Sequence, residues 1–347
     1  MRVLALETSC DETSAAVVRR EGNRVTLEGL AILSQDIHRM FGGVVPELAS
    51  RAHLATVGPV VDLALQQAGV SLATIDGIAV TRGPGLLGAL LVGVTWAKTV
   101  AWRERLPLIG VHHLEGHLFA PTLEADDVAP PFTALLVSGG HTLLLDVPAW
   151  GEYRLLGQTR DDAVGEAFDK VGTLLGLEYP AGAAMEKLAA KGDSSRFTFP
   201  RPLLRGVAEK DQFAFSFSGL KTALLRAVQQ SSDLSRDRAD LARGFQDAAI
   251  EVLVTKAAHA AEAFQRPLVV LGGGVASNGA LTVAMRQAAG PRVRVAVASP
   301  RLNTDNAAMI GAAGSWRLAQ GEHHGVDLDA RDLFPLPGLV AVTGVTP

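Results

Sequence analysis

Thr133-Ala134-Leu135-Leu136-Val137-Ser138-Gly139-Gly140-His141-Thr142-Leu143-Leu144-Leu145-Asp146 is a hydrophobic run, a hydroxyl- and glycine-rich turn, and a second hydrophobic run. It reads as strands over 133–137 and 142–146 joined at Ser138-Gly139-Gly140, with a third strand expected at 153–157. The chain opens on the same plan, with strands expected at 2–7, 13–19 and 24–34 around a turn over 8–12. The order of elements after each meander also repeats. After the first come a helix over 46–67, a buried strand at 77–81, a helix from Leu86 and a strand at 108–111. After the second come helices, a buried strand at 268–271, a helix over 277–288, a strand at 292–298 and a last helix over 305–318. Ala129-Pro130-Pro131 marks the break, so the expected organisation is one lobe over 1–128 and a second over 129–347 with a helical insertion around 163–265.

Two α/β lobes that each begin on such a hairpin resemble the duplicated fold of actin, the sugar kinases and the heat-shock ATPases. That resemblance implies nucleotide and metal between two lobes; a pair of unrelated α/β domains is the alternative that pattern alone leaves open. Composition agrees with two cores, since 347 residues at 48% hydrophobic content exceed one ordinary domain. The 36 glycines against 5% aromatics favour loops wrapped around phosphate over stacking on bases. Cys10 is the single cysteine, which excludes an intrachain disulfide and leaves the cytoplasm as the default compartment. Glu7, Asp11 and Glu12 interrupt the apolar start before a signal-peptide core forms. The most apolar stretch, 86–97, is bounded by Arg82 and Lys98 and is shorter than the roughly 20 residues that span a bilayer, so no membrane partner is expected. A net charge of −4 argues against a broad basic face, so any RNA contact must be local or shared. Arg196, Arg201, Arg205 and Lys210 form one locally basic segment, readable as an RNA contact or as a solvated loop.

Glycines after the strand at 133–137 let several backbone N–H groups turn toward one anion, a nest that holds phosphate without lysine; an ordinary hairpin turn is the competing reading. Gly272-Gly273-Gly274 follows a buried strand and leads into a helix that Ser277 or Asn278 caps, which allows a purine or ribose to approach closely. The glycine spacing fits neither the Rossmann nor the Walker pattern. Arg82-Gly83-Pro84-Gly85 reads as a sharp structural turn.

His112-His113-Leu114-Glu115-Gly116-His117 begins where a strand ends. On a helix, His113 and His117 stand one turn apart on one face and offer two nitrogens to one zinc or iron ion. Asp305 is a candidate third ligand, with a helix N-cap as its alternative role. A zinc peptidase needs glutamate directly after the first histidine, where this chain has Leu114.

In order along the chain come Glu7-Thr8-Ser9-Cys10-Asp11-Glu12-Thr13, Gly42-Gly43-Val44-Val45-Pro46-Glu47, the paired histidines, Val137-Ser138-Gly139-Gly140-His141 and Gly165-Glu166-Ala167-Phe168-Asp169-Lys170. Phe215-Ser216-Phe217-Ser218-Gly219-Leu220-Lys221, Gly273-Gly274-Val275-Ala276-Ser277-Asn278 and Thr304-Asp305-Asn306 complete the series. Spanning nearly the whole chain, these motifs resemble the TsaD family, whose members move a threonylcarbamoyl group from threonylcarbamoyl-AMP to N6 of the adenosine next to the anticodon in tRNAs reading codons that start with A. The resemblance implies that His113, His117 and Asp305 hold one divalent metal ion, iron or zinc. It implies that Leu136, Val137, Ser138, Gly139 and Gly140 contact the phosphate and acyl part of the adenylate, Asp169, Gly182 and Glu186 its ribose, and Asn278 its adenine end. Asp11 and Glu12 are expected to position the adenosine amine or accept its proton, with turn capping as the alternative. Lys221 is left without a role. An inactive paralogue of the TsaB kind, a small ATPase of the TsaE kind and a separate adenylate-forming enzyme are the implied partners. Tyr179-Pro180-Ala181-Gly182-Ala183 departs from the family's Tyr-Pro-Gly-Gly-Pro, and Asn303 stands where a cysteine is common. A nucleotide-binding scaffold without turnover is the alternative function, and a metallopeptidase ranks below it.

Overall fold

The computed structural model describes residues 1–341; residues 342–347, which the expected second lobe includes, lie outside the described residues. In chain order the elements are β1 (Arg2–Glu7), β2 (Glu12–Glu21), β3 (Arg24–Ser34), α1 (Pro46–Ala68), β4 (Gly77–Gly83), α2 (Leu87–Glu104), β5 (Leu108–His112) and α3 (His113–Phe119). Then come β6 (Phe132–Val137), β7 (Thr142–Ala149), β8 (Glu152–Gln158), α4 (Val164–Leu174), α5 (Gly182–Ala189), α6 (Ser218–Gln230) and α7 (Leu234–Ala263). The chain continues through β9 (Leu268–Gly272), α8 (Gly279–Ala289), β10 (Arg294–Val297), α9 (Pro300–Asn303), α10 (Ala307–Ala319) and β11 (Leu339–Ala341).

The two sheets have one plan. The first runs β3-β2-β1-β4-β5, and the second runs β10-β9-β6-β7-β8 with β11 added at the β8 edge. In each, the opening hairpin is antiparallel, with Glu7 opposite Ser14 in one and Val137 opposite Thr142 in the other. The later strands join parallel to the first strand of the hairpin, β4 and β5 in one sheet and β9 and β10 in the other. Central parallel strands are covered on both faces, which is why β1 and β9 read as unbroken apolar runs. Leu4, Leu6 and Val17 face α1 and α2 through Val57, Val61, Leu65 and Val94. In the second sheet Leu135, Val137 and Leu144 share a core with Val164, Phe168 and Val171 of α4 and Phe245, Ala249 and Leu253 of α7.

The chain forms two compact units: Met1–Val128 with Ala298–Pro337, and Ala129–Val297 with the strand Leu339–Ala341. The expected second lobe, 129–347, is therefore not continuous. The reason is α10, whose residues Ala307 to Ser315 are all buried and pack on β1, β2 and β4, covering the sheet face that α1 and α2 leave open. Its pattern is apolar all round, so the sequence marks it as buried without saying on which sheet. Among the described residues no helix is long and apolar enough to cross a membrane.

One buried ion pair joins α10 to α3. Arg317 donates from Nε and Nη2 to the two Glu115 oxygens at 2.6 and 2.7 Å, with Glu115 fully buried. Removing one partner of such a pair leaves an uncompensated buried charge. Arg317→Met is expected to lower unfolding stability by about 3–5 kcal/mol. Adding Glu115→Leu is expected to recover most of that loss, as read from denaturant midpoints; equal midpoints for wild type and Arg317→Met would show that the pair contributes nothing.

Candidate metal centre and glycine-rich loops

β5 ends at His112, whose Nδ1 accepts from Leu114 N at 3.2 Å and so starts α3. With the helix beginning at His113, the His113 and His117 rings meet edge-on, 4.8 Å between centroids at 87°. Asp305 comes from the loop between α9 and α10, in the same unit. Asn306, not Asp305, caps α10, its Oδ1 accepting from Met309 N at 3.1 Å. The Asp305 carboxylate turns instead to the imidazoles: its Oδ1 lies 3.4 Å from His113 Nε2 and 3.3 Å from His117 Nε2.

The two Asp305 distances fit a shared cation, and the three ligand atoms all lie within 4.8 Å of one another. Donors bound about 2.1 Å from one ion at tetrahedral or octahedral angles stand about 3.0–3.4 Å apart. Neither ring nitrogen of the buried His117 has a hydrogen-bond partner among the described residues; its approach to Asp305 is close without being aligned as a hydrogen bond. An orphaned imidazole nitrogen facing a carboxylate and a second imidazole fits a divalent metal. Two nitrogens and one oxygen suit iron and zinc alike.

Without a cation the site balances itself. Burial works against charge on His113, but Asp305 and Glu7 outweigh it and hold the imidazole well above its usual range. Burial likewise opposes the Asp305 charge, and the adjacent His113 and His117 rings, His113 first, bring its carboxyl well below the usual range. His117 moves down, chiefly through burial. Asp11 and Glu12 lie in the same unit, Asp11 in the turn before β2 and Glu12 as the first residue of that strand. Burial first, then Asp305 and Asp11, push Glu12 up to about 10. In that state Glu12 is a proton donor; the positive charge of a nearby dication acts in the opposite direction and favours its carboxylate form. The turn is held by His53, whose Nε2 lies 2.9 Å from Cys10 O and whose Nδ1 lies 2.8 Å from Thr13 Oγ1.

The other expected residues all lie in the second unit. Leu136 and Val137 end β6 with buried side chains, so only their main chain is available to a ligand. Ser138 N donates to His141 O at 2.8 Å and closes the loop, leaving Gly139 and Gly140 exposed with open space where side chains would stand. Two other glycines shape it. A Cβ on Gly165 would fall 2.5 Å from Ser138 O, and one on Gly273, at φ 91°, 2.5 Å from Val137 O. Asp169 Oδ1 accepts from Ala181 N at 2.8 Å, just before Gly182 opens α5. Burial pushes the Asp169 pKa up despite these backbone donors. Glu186 Oε1 accepts from Gly279 N at 2.8 Å. Asn278 caps α8 through Oδ1 to Leu281 N and donates from Nδ2 to Gln246 Oε1 at 3.0 Å, leaving one Oδ1 lone pair. Asp169, Gly182, Glu186 and Asn278 thus form one linked series around the starts of α5 and α8.

Lys221 pairs with Asp162 at 2.5 Å, a structural role for a residue the sequence left open. In the basic segment, Arg196 pairs with Asp237 and Asp240, and Arg201 with Glu251, so half of its expected cations are engaged. Sequence reasoning passed over Glu7, Thr81 and His53, all buried polar residues; the one signal for Glu7 is an acid closing an otherwise apolar strand.

A family model described as TsaD, tRNA N6-adenosine threonylcarbamoyltransferase, matches residues 26–312, which include the metal trio. The chain is 59% identical over 354 aligned residues to the tRNA N6-adenosine threonylcarbamoyltransferase of Gemmatimonas aurantiaca, covering 99% of each. It is 52% identical to that of Syntrophotalea carbinolica, covering 97% of each. Among solved structures it resembles HypF of T. kodakarensis, with a TM-score of 0.62 at 14% identity over 92% of this chain and 48% of that one. It also resembles component A of (R)-2-hydroxyglutaryl-CoA dehydratase from Acidaminococcus fermentans, with a TM-score of 0.55 at 14% identity over 92% and 99%. At such identity the structures speak for the fold alone, the duplicated actin-like architecture. By family model and by full-length identity, the chain belongs to the TsaD family of tRNA N6-adenosine threonylcarbamoyltransferases.

Proposed function

We propose that this protein transfers the threonylcarbamoyl group of threonylcarbamoyl-AMP to N6 of the adenosine 3′ to the anticodon in tRNAs reading codons that begin with A. The observation that carries the reading is the convergence of His113, His117 and Asp305 in a chain of this family. A dication held there supplies Lewis-acid polarisation of the carbamoyl carbonyl. Both His residues and Asp305 act as its ligands. Iron and zinc are the two candidates.

In the reaction a bond forms between N6 and the carbamoyl carbon, the bond from that carbon to the phosphate oxygen breaks, AMP leaves, and one N6 proton passes to a base. Glu12, or Asp11 beside it, is proposed to take that proton or hold the amine. Backbone N–H groups of Gly139 and Gly140 are proposed to hold the adenylate phosphate, with Leu136, Val137 and Ser138 lying toward the acyl part. Asp169, Gly182 and Glu186 are assigned to the ribose and Asn278 to the adenine end. No covalent enzyme intermediate is required. A TsaB-like paralogue and a TsaE-like ATPase are the proposed partners, and a cytoplasmic location follows from the tRNA substrate.

Wild-type protein, threonylcarbamoyl-AMP, unmodified tRNA and these partners are expected to yield modified adenosine by mass spectrometry. His113→Ala/His117→Ala is expected to bring both the yield and the bound metal to background. Equal yields would remove the metal from the reaction, and a variant silent in transfer but normal in partner binding separates enzyme from scaffold. Gly165→Ala tests the phosphate loop: its methyl forces Ser138 to move, and AMP affinity is expected to fall about tenfold, or ~1.4 kcal/mol. Calorimetric titration reads this, and unchanged affinity would take that loop out of the phosphate site.

A further inference from the structure

Glu7 closes β1 with a fully buried carboxylate that neither transfers nor holds substrate in the scheme above. Its Oε1 accepts from Ser9 N at 2.5 Å and its Oε2 from Thr81 Oγ1 at 2.6 Å. The same Oε2 lies 3.1 Å from Nδ1 of His113. Strand order explains the meeting: β1, β4 and β5 are neighbours running in parallel, so Glu7 ends the first, Thr81 nears the end of the second, and the third leads directly into His113. Ser9 Oγ also approaches Nδ1, at 3.3 Å.

An imidazole bonded to a carboxylate through one nitrogen keeps its proton there and presents the other nitrogen as a lone pair. Thr81 and the Ser9 backbone fix the carboxylate, so its direction toward Nδ1 is set before any cation arrives. We propose that Glu7 is a positioning residue of the metal centre, accepting Nδ1–H of His113 and thereby holding Nε2 toward Asp305 and His117. The proposal rests on the metal-centre reading. It competes with a purely structural role, in which Glu7 only ties the end of β1 to the following turn.

The test titrates metal-free wild type, Glu7→Gln and Ser9→Ala with zinc against a chelating dye. Glu7→Gln is expected to weaken zinc binding about 10–100-fold, while Ser9→Ala stays within about threefold. Equal affinity of Glu7→Gln and wild type overturns the role of Glu7 and leaves the metal centre standing; no binding by wild type overturns the centre and the proposal with it. Should Glu7→Gln not fold, ring nitrogen NMR of zinc-loaded wild type decides. The expected His113 has a proton on Nδ1 and zinc on Nε2, and zinc on Nδ1 would overturn the assignment.

Discussion

Strands that run parallel in one sheet finish on the same side of it, and the candidate site residues of each unit are gathered by that constraint. In the first unit β1, β4 and β5 end together and bring Glu7, Thr81 and the start of α3 to one edge. In the second, β6 and β9 end together and set the Ser138 loop beside Gly273. Each unit also carries an antiparallel hairpin on its first strand, so the turn after that strand is short. Asp11 and Glu12 sit at one such turn and Gly139 and Gly140 at the other. Duplication of the topology has thus produced two turns of opposite chemistry, one acidic and one rich in free backbone N–H groups.

Charge around the histidine pair of the first unit is predominantly negative. Glu7, Glu12 and Asp305 approach one another in a buried region where His113 is the principal opposing charge. Burial penalises each carboxylate, and the same surroundings raise the pKa of His113 and of Glu12. A divalent cation relieves both adjustments at once. Buried acids of this kind destabilise a fold unless they are paired, so their presence argues that the pairing has a use.

Local rules made some of this legible in advance and tertiary packing hid the rest. The four-residue spacing of His113 and His117 depends on helix geometry alone and could be read directly. Asp305 could not be separated from an N-cap until Asn306 was seen to take that position. The α10 helix reads as buried, yet nothing in its pattern says that it returns to the first sheet. Glu7 reads only as the acidic end of the first strand, because its partners Thr81 and His113 are 74 and 106 positions away. Asp169, Glu186 and Asn278 were expected to face a ligand; much of their hydrogen bonding is directed at main chain and at Gln246.

The division of the chain has a consequence for its synthesis. The first unit draws on Met1–Val128 and Ala298–Pro337, with the 129–297 block inserted between them. A ribosome therefore delivers His113 and His117 long before Asp305, and exposes the β1-β2-β4 face long before α10 arrives to cover it. The inserted block emerges whole and has its own core, apart from the edge strand Leu339–Ala341. The nascent chain thus exposes an open sheet face and two of the three candidate ligands while the inserted block is made, and the first unit cannot close until α10 follows that block.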